Sequence, residues 1–298
     1  MKIPIIFLGT SQAIPTAKRN HTAILLSYAN ENILVDCGEG TQRQFRKAGI
    51  SPTKLTKILI THWHGDHILG LPGLLQTLAL NNYNKTLEIY IPKGTKHFIE
   101  QIFRMFIFEG KIKYEIHECQ EGKIFENKDF VIEAAKMKHG AACLAYSFTE
   151  KGKIRIKKSA LIKLGIKGKI ISQLVQGKNI KHNGKLIKAN QLTYLQPGRK
   201  ISFIFDTSLN ENCYKIAKNA NLLISEATYT EKEANLAARY RHLTAKQAAT
   251  IARKSKAKKL ILTHISQRYE HKEKFILAEA KKIFKQVSIA EDLDTLEI

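Results

Sequence analysis

The 298-residue sequence predicts a layered α/β protein, with sheets covered by helices and one inserted basic arm. Three observations carry this. Short apolar runs rich in Ile, Leu and Val alternate with stretches of helical periodicity along most of the chain, which is the pattern of strands and helices packed in layers. A hydrophobic content of 44% is enough for a sizeable core and excludes a disordered chain. The segment from about 150 to 192 breaks the rhythm, with scattered glycines and no acidic residue after Glu150.

In chain order, Pro4 to Leu8, Thr22 to Leu26, Asn32 to Val35 and Lys57 to Ile60 read as strands, followed by Leu87 to Ile91 and Phe130 to Ala134. Ile201 to Phe205, Leu222 to Ile224 and Leu260 to Leu262 continue the series. Helices are expected over Thr41 to Ala48, Leu71 to Leu80, Thr95 to Phe106, Cys213 to Ala220, Ala245 to Lys254 and Lys272 to Phe284. Thr244 and Gln247 form a capping box for the helix that starts at Ala245. Nothing low in complexity divides the chain, so residues 1–298 read as one domain carrying an inserted arm at about 150–192.

Charge narrows the function. The formal net charge is +23, which favours a polyanionic partner. The 55 residues between Glu150 and Asp206 contain no acid and 14 Lys or Arg, so the excess is local rather than a uniform lysine bias. No apolar run approaches the roughly 20 residues of a membrane span, and the opening run, interrupted by Pro4, is short for a signal peptide. A soluble cytoplasmic protein without a membrane partner is expected. The four cysteines are widely spaced and expected to be buried thiols.

The chemistry concentrates in Thr61-His62-Trp63-His64-Gly65-Asp66-His67, directly after a predicted strand. His62 and His64 alternate onto one side of an extended chain, and Asp66 and His67 lie where the backbone turns into a helix. Imidazoles and a carboxylate so close together point to catalytic metal ions, because desolvating them without a cation is costly. His139, Asp206 and His264 each follow a predicted strand, the place where open α/β sheets put functional residues. Asp36 sits similarly and is expected to support a ligand rather than be one. His21, His97, His117, His182 and His271 lack such placement and are expected on the surface.

With these residues in hand, the chain resembles the metallo-β-lactamase superfamily and, within it, the ribonuclease Z family. Phe7-Leu8-Gly9-Thr10, Leu34 to Gln42, His62 to His67 with the following Gly70-Leu71-Pro72-Gly73, and Thr263 to Tyr269 carry the likeness over almost the full length. Pro52-Thr53-Lys54-Leu55-Thr56, Glu226-Ala227-Thr228 and His242-Leu243-Thr244 distinguish this family from glyoxalases and lactamases on the same fold. Ser225 stands where a His is usual, and the arm has Gly168-Lys169 where many members have Gly-Pro.

The resemblance implies an αββα sandwich and a zinc-dependent endoribonuclease that removes the 3′ trailer of precursor transfer RNA, leaving a 3′-hydroxyl on the transfer RNA and a 5′-phosphate on the trailer. It implies two zinc ions per chain, one held by His62, His64 and His139, the other by Asp66, His67 and His264, with Asp206 bridging. Asp66 would also act on the attacking water, and His242, oriented by Glu226, would protonate the leaving oxygen. Lys54, Thr56, Ser266 and Arg268 are the implied substrate contacts, the basic segment is the arm that grips the transfer RNA, and a homodimer is implied. The alternative is a general metallo-phosphodiesterase for small or cyclic diesters, which would make no use of the acid-free segment.

Overall fold

The computed structural model describes residues 2–107 and 112–298. Two seven-stranded sheets dominate it. The first runs Thr295–Glu297, Pro4–Gly9, Ala23–Tyr28, Glu31–Val35, Lys57–Leu59, Thr86–Pro92, Lys113–Cys119, and is parallel from Glu31–Val35 onward. The second runs Val287–Ile289, Leu260–Thr263, Leu222–Glu226, Lys200–Ile204, Leu144–Glu150, Phe130–Lys136, Gly122–Glu126, and its first four strands are parallel.

Each sheet buries one face under helices. Leu25, Leu34, Ile58 and Ile89 of the first pack with Phe45 of Thr41–Lys47, Leu74 and Leu78 of Leu71–Leu80, and Ile99 of Lys96–Met105. Leu223, Leu260 and Leu262 of the second pack with Ile216 of Glu211–Ala217, Ala248 and Ile251 of Ala245–Lys254, and Ile276 of Glu273–Lys281. The other faces meet: the Tyr28 and Phe148 rings lie edge to face with centroids 5.2 Å apart, and the Tyr146 hydroxyl donates to the carbonyl of Ile60 at 2.7 Å. Helix, sheet, sheet, helix is the αββα order of the metallo-β-lactamase fold.

Two compact units divide the chain: residues 1–126, 132–148 and 200–298, and residues 127–131 and 149–199. The second has a small core of its own, from Leu161, Ile166, Leu174, Ile180, Ala189 and Leu192. Two short antiparallel pairings, Lys153–Ile156 with Thr193–Gln196 and Ile180–His182 with Lys185–Ile187, belong to the same unit. Lys157, Lys158, Lys163, Lys167, Lys169, Lys178, Lys181, Lys185 and Lys188 are all exposed on it.

All nine predicted strands and six predicted helices of the sequence form, with ends moved by a residue or a few. The additional strands are mostly at sheet edges, where one-sided burial leaves no apolar run to read: Lys113–Cys119 buries only Cys119, and Thr295–Glu297 buries none of its residues. All four cysteines are free and buried. His21 is a correction. It is buried, with Nε2 3.2 Å from the carbonyl of Ala13, because Gly9 and Gly38 let the backbone close over it. A Cβ at Gly38 would stand 2.4 Å from that of His21 and 2.5 Å from the carbonyl of Asp66.

Among the described residues, no helix is long and apolar enough to cross a membrane.

Candidate active site

The parallel strands of both sheets deliver their carboxyl ends to one place. Asp36 follows Glu31–Val35, the histidine loop follows Lys57–Leu59, Asp206 follows Lys200–Ile204 and His264 follows Leu260–Thr263, while Glu226 ends its own strand. His139 follows Phe130–Lys136. His64 is extended, with φ −72° and ψ 150°, and caps the short helix Gly65–Ile68 that carries Asp66 and His67. The loop after Asp36 clasps the histidine loop, since the Cys37 amide donates to the carbonyl of His67 at 2.8 Å and the Gly70 amide to that of Cys37 at 2.9 Å.

Two donor groups result. His62, His64, His139 and Asp206 form one, Asp66, His67, Asp206 and His264 the other, and within each group the donor atoms lie within 4.8 Å of one another. Asp206 belongs to both. Its Oδ1 faces Nε2 of His67 at 3.4 Å and of His264 at 3.1 Å, and its Oδ2 faces Nε2 of His62 and of His139, each at 3.7 Å.

The imidazoles are aimed by their other nitrogens. Nδ1 of His67 is 2.7 Å from Asp36 Oδ2, Nδ1 of His62 is 3.1 Å from Thr61 Oγ1, Nδ1 of His264 is 3.0 Å from Thr228 Oγ1, and Nδ1 of His139 is 3.1 Å from the carbonyl of Arg241. That leaves four Nε2 atoms for the centre; His64 alone turns Nδ1 inward, 3.0 Å from His62 Nε2 and 3.1 Å from His139 Nε2. Anchoring of this kind fixes the tautomer and orientation of metal ligands. Asp36 is itself fully buried and also accepts from the Thr61 amide at 2.7 Å and hydroxyl at 2.8 Å.

The residues fit divalent cations. Asp206 Oδ1 is buried and accepts no hydrogen bond although two imidazole nitrogens point at it, an arrangement that a cation among them satisfies. Charge bookkeeping agrees. Burial opposes ionisation of Asp206, yet His264, His67 and His242 overcome it and hold the carboxyl well below the usual range. For His67 burial opposes the charged form, and Asp66, Asp206 and Asp36 together outweigh it and raise the pKa. His62 goes the other way, lowered by burial and then by the neighbouring imidazolium of His67. So many opposed charges in so little space call for positive charge at the centre.

His242 and Glu226 complete the site. The helix Ala234–Tyr240 ends in a left-handed cap at Arg241, φ 58°, and the His242 amide donates back to the carbonyl of Ala237 at 2.8 Å. This turn points His242 Nδ1 at Glu226 Oε2, 3.1 Å away, and brings it within 3.8 Å of Asp206 Oδ2. Glu226 is fully buried and held by the Thr207 amide and the Thr228 hydroxyl, each at 2.7 Å. Burial works against a charged His242, but Glu226 and then Asp206 more than offset it and push the pKa up to about 9. The capping box of Thr244 and Gln247 also forms, so the cap accounts for Thr244 while the side chain of His242 turns into the site.

A cleft of about 330 Å³ opens over this centre, lined by His64, Asp66, His139, Asp206 and His242 together with Gln12, Ile14, Tyr229, Tyr240, Ser266 and Arg268. Ser266 and Arg268 thus stand at the site. Lys54 and Thr56 do not line it. They precede the strand Lys57–Leu59, whose other end carries His62, and Thr56 Oγ1 is engaged with Glu31 at 2.5 Å. Sequence reasoning missed Arg241, Thr228, Thr207 and Thr61. Arg241 acts through its backbone carbonyl and through a guanidinium that donates to the carbonyl of His139 at 2.7 Å, and neither leaves a motif.

The chain is 40% identical over 296 residues to a protein named ribonuclease Z from Methanothermobacter thermautotrophicus, covering 99% of this chain and 96% of that one. The chain belongs to the ribonuclease Z family. Another family member, ribonuclease Z of Bacillus cereus, is 38% identical over 306 residues, covering 98% of each. The crystal structure of human tRNase Z, short form, superposes with a TM-score of 0.72 at 30% identity, covering 98% of both chains. The metallo-β-lactamase fold protein YhfI of Bacillus subtilis has the same fold, with a TM-score of 0.72 at 20% identity, covering 100% of this chain and 99% of that one. Residues 3–158 also match the family model described as Anti-Pycsar protein Apyc1, which takes in the histidine loop and His139 but stops short of Asp206, Glu226, His242 and His264.

Proposed function

We infer that this chain is an endoribonuclease that removes the 3′ trailer from precursor transfer RNA, leaving a 3′-hydroxyl on the transfer RNA and a 5′-phosphate on the trailer, and that it works with two zinc ions per chain. The observation that carries the reading is that members of both donor groups and His242 open into one cleft, with Glu226 buried behind His242. Full-length relatives named ribonuclease Z support it. Imidazole and carboxylate donors without a thiolate support zinc at a catalytic rather than a structural site.

His62, His64 and His139 would hold one ion, Asp66, His67 and His264 the other, and Asp206 would join them. When bound, the two ions acidify water and neutralise charge on the phosphodiester oxygens during in-line attack. Asp66 lines the cleft and orients the attacking water. His242 protonates the departing ribose 3′ oxygen from Nε2, because its Nδ1 is committed to Glu226. Ser266 and Arg268 contact the RNA at the cleft; Lys54 and Thr56 are assigned to a separate contact with it. The basic unit grips the transfer-RNA body through its exposed lysines, and family resemblance supports a homodimer acting in the cytoplasm.

Incubating the purified protein with a defined precursor and mapping the cut and its end groups tests the activity, and a nitrophenyl phosphodiester is the comparison that separates it from a small-diester hydrolase. His242→Ala should slow precursor cleavage by on the order of 10² or more and cost little on the nitrophenyl ester, whose leaving group departs without a proton. Equal losses on both would return His242 to a structural part. Deleting residues 150–192 should weaken precursor binding and flatten its salt dependence while the small diester is still cut; an unchanged salt dependence would make the basic unit an ordinary solvated surface.

A further inference from the structure

Beside the donor groups, part of the cleft lining is apolar and open to solvent. Ile14 and Tyr240 line the cleft and are 52% and 50% exposed. Scattered exposed apolar residues are common on proteins. Two of them bordering the same charged cleft as the reacting groups are a different matter, because a polar ion-binding centre has no need of an apolar rim. Tyr229, by contrast, lines the cleft but is buried, its ring centroid 6.1 Å from that of His242.

We propose that Tyr240, with Ile14 on the same cleft, is a stacking subsite for the nucleobase of the last retained nucleotide, the one whose 3′ oxygen leaves. The inference rests on the proposed trailer-removing activity and deepens it. If His242 protonates that oxygen, the ribose bearing it lies against His242. Tyr240 is two residues earlier, at the end of the helix whose left-handed cap at Arg241 aims His242 into the site, so the base on that ribose meets the tyrosine ring. The guanidinium of Arg239 lies 5.5 Å from the Tyr240 ring centroid and adds cationic character to the platform.

Stacking suits this position. An aromatic face accepts any base, whereas hydrogen-bond readout would restrict the enzyme to precursors with one nucleotide there. The subsite therefore fixes the scissile phosphate relative to His242 without reading sequence.

The test uses the full-length, metal-loaded protein and two precursors, one intact and one abasic at the last retained nucleotide. Tyr240→Ala should lower kcat/KM on the intact precursor by about 10-fold to 100-fold, mostly through KM, and Tyr240→Phe should restore it. On the abasic precursor the wild type should fall to the level of Tyr240→Ala, and the two should then be equal. Two outcomes overturn the subsite: an Ala variant equal to wild type on the intact precursor, or an Ala loss equally large on the abasic one. If the wild type cuts no precursor but hydrolyses a nitrophenyl diester, the nuclease reading itself fails and the subsite falls with it.

Discussion

The two donor groups share Asp206 and differ in almost everything else. Asp66, His67, Asp206 and His264 are all buried, and their outer partners, Asp36 and Thr228, are core residues at or just beyond strand ends. In the other group His64 is exposed and His139 only partly buried, and the anchor of His139 is a backbone carbonyl at a helix cap. One side is buried throughout, and the other reaches the open cleft through His64 and His139. The difference teaches that, if two ions bind as proposed, they should not be held alike: the buried group should retain its ion longer than the open one.

The largest effect should come from removing what the groups have in common. Asp206→Ala should strip both ions in elemental analysis and reduce cleavage by on the order of 10³ or more. Retention of both ions would show that the carboxylate does not join the two groups. Asp36→Ala separates them instead. It leaves His67 Nδ1 and the Thr61 amide and hydroxyl without their acceptor in a fully buried place, each costing about 1–3 kcal/mol. The expected result is a lower melting temperature and loss chiefly of the buried ion, because Asp36 holds His67 directly and His62 only through Thr61. Arg241→Ala is the mirror experiment. It removes the guanidinium bond to the carbonyl of His139 but keeps the carbonyl that meets His139 Nδ1, so it should weaken the open site by about 10-fold in a chelator titration while the buried ion stays in place. Simultaneous loss of both ions in either variant would erase the proposed difference.

The smallest change concerns protons. Glu226 is a main reason that the pKa of His242 is raised, so the imidazole stays charged up to about pH 9 and its proton is lost above that. Glu226→Gln removes the charge, lowers the pKa of His242, and should move the alkaline limb of kcat/KM on precursor to lower pH. An unmoved limb would mean that another group sets it.

The sequence made the buried group and the histidine loop legible because their side chains are the chemistry: no other reason explains three imidazoles and a carboxylate within six residues. The helix Leu71–Leu80 was legible because its apolar spacing is its packing face. Leu144–Glu150 was not, although it lies inside the second sheet. Its Ser147 is buried and Thr149 partly buried, and such hydroxyls break the apolar run that identifies a strand. Arg241 was invisible for a deeper reason. Its contribution is a dihedral angle, a carbonyl and a guanidinium bond to the backbone of His139, and only the fold assigns them.

That dihedral has company. Asp36, Arg241 and His264 all have φ between 57° and 58°, a left-handed conformation that costs a residue with a side chain on the order of 1 kcal/mol relative to glycine. Three residues of one site therefore sit where the backbone alone would prefer another amino acid. Under selection for heat resistance only, position 241 would drift toward glycine, since its side chain is exposed and its strain would vanish. A lineage adapting to high temperature faces a conflict at these positions, because glycine would relieve the backbone but remove the Asp36 carboxylate, the His264 imidazole and the Arg241 guanidinium.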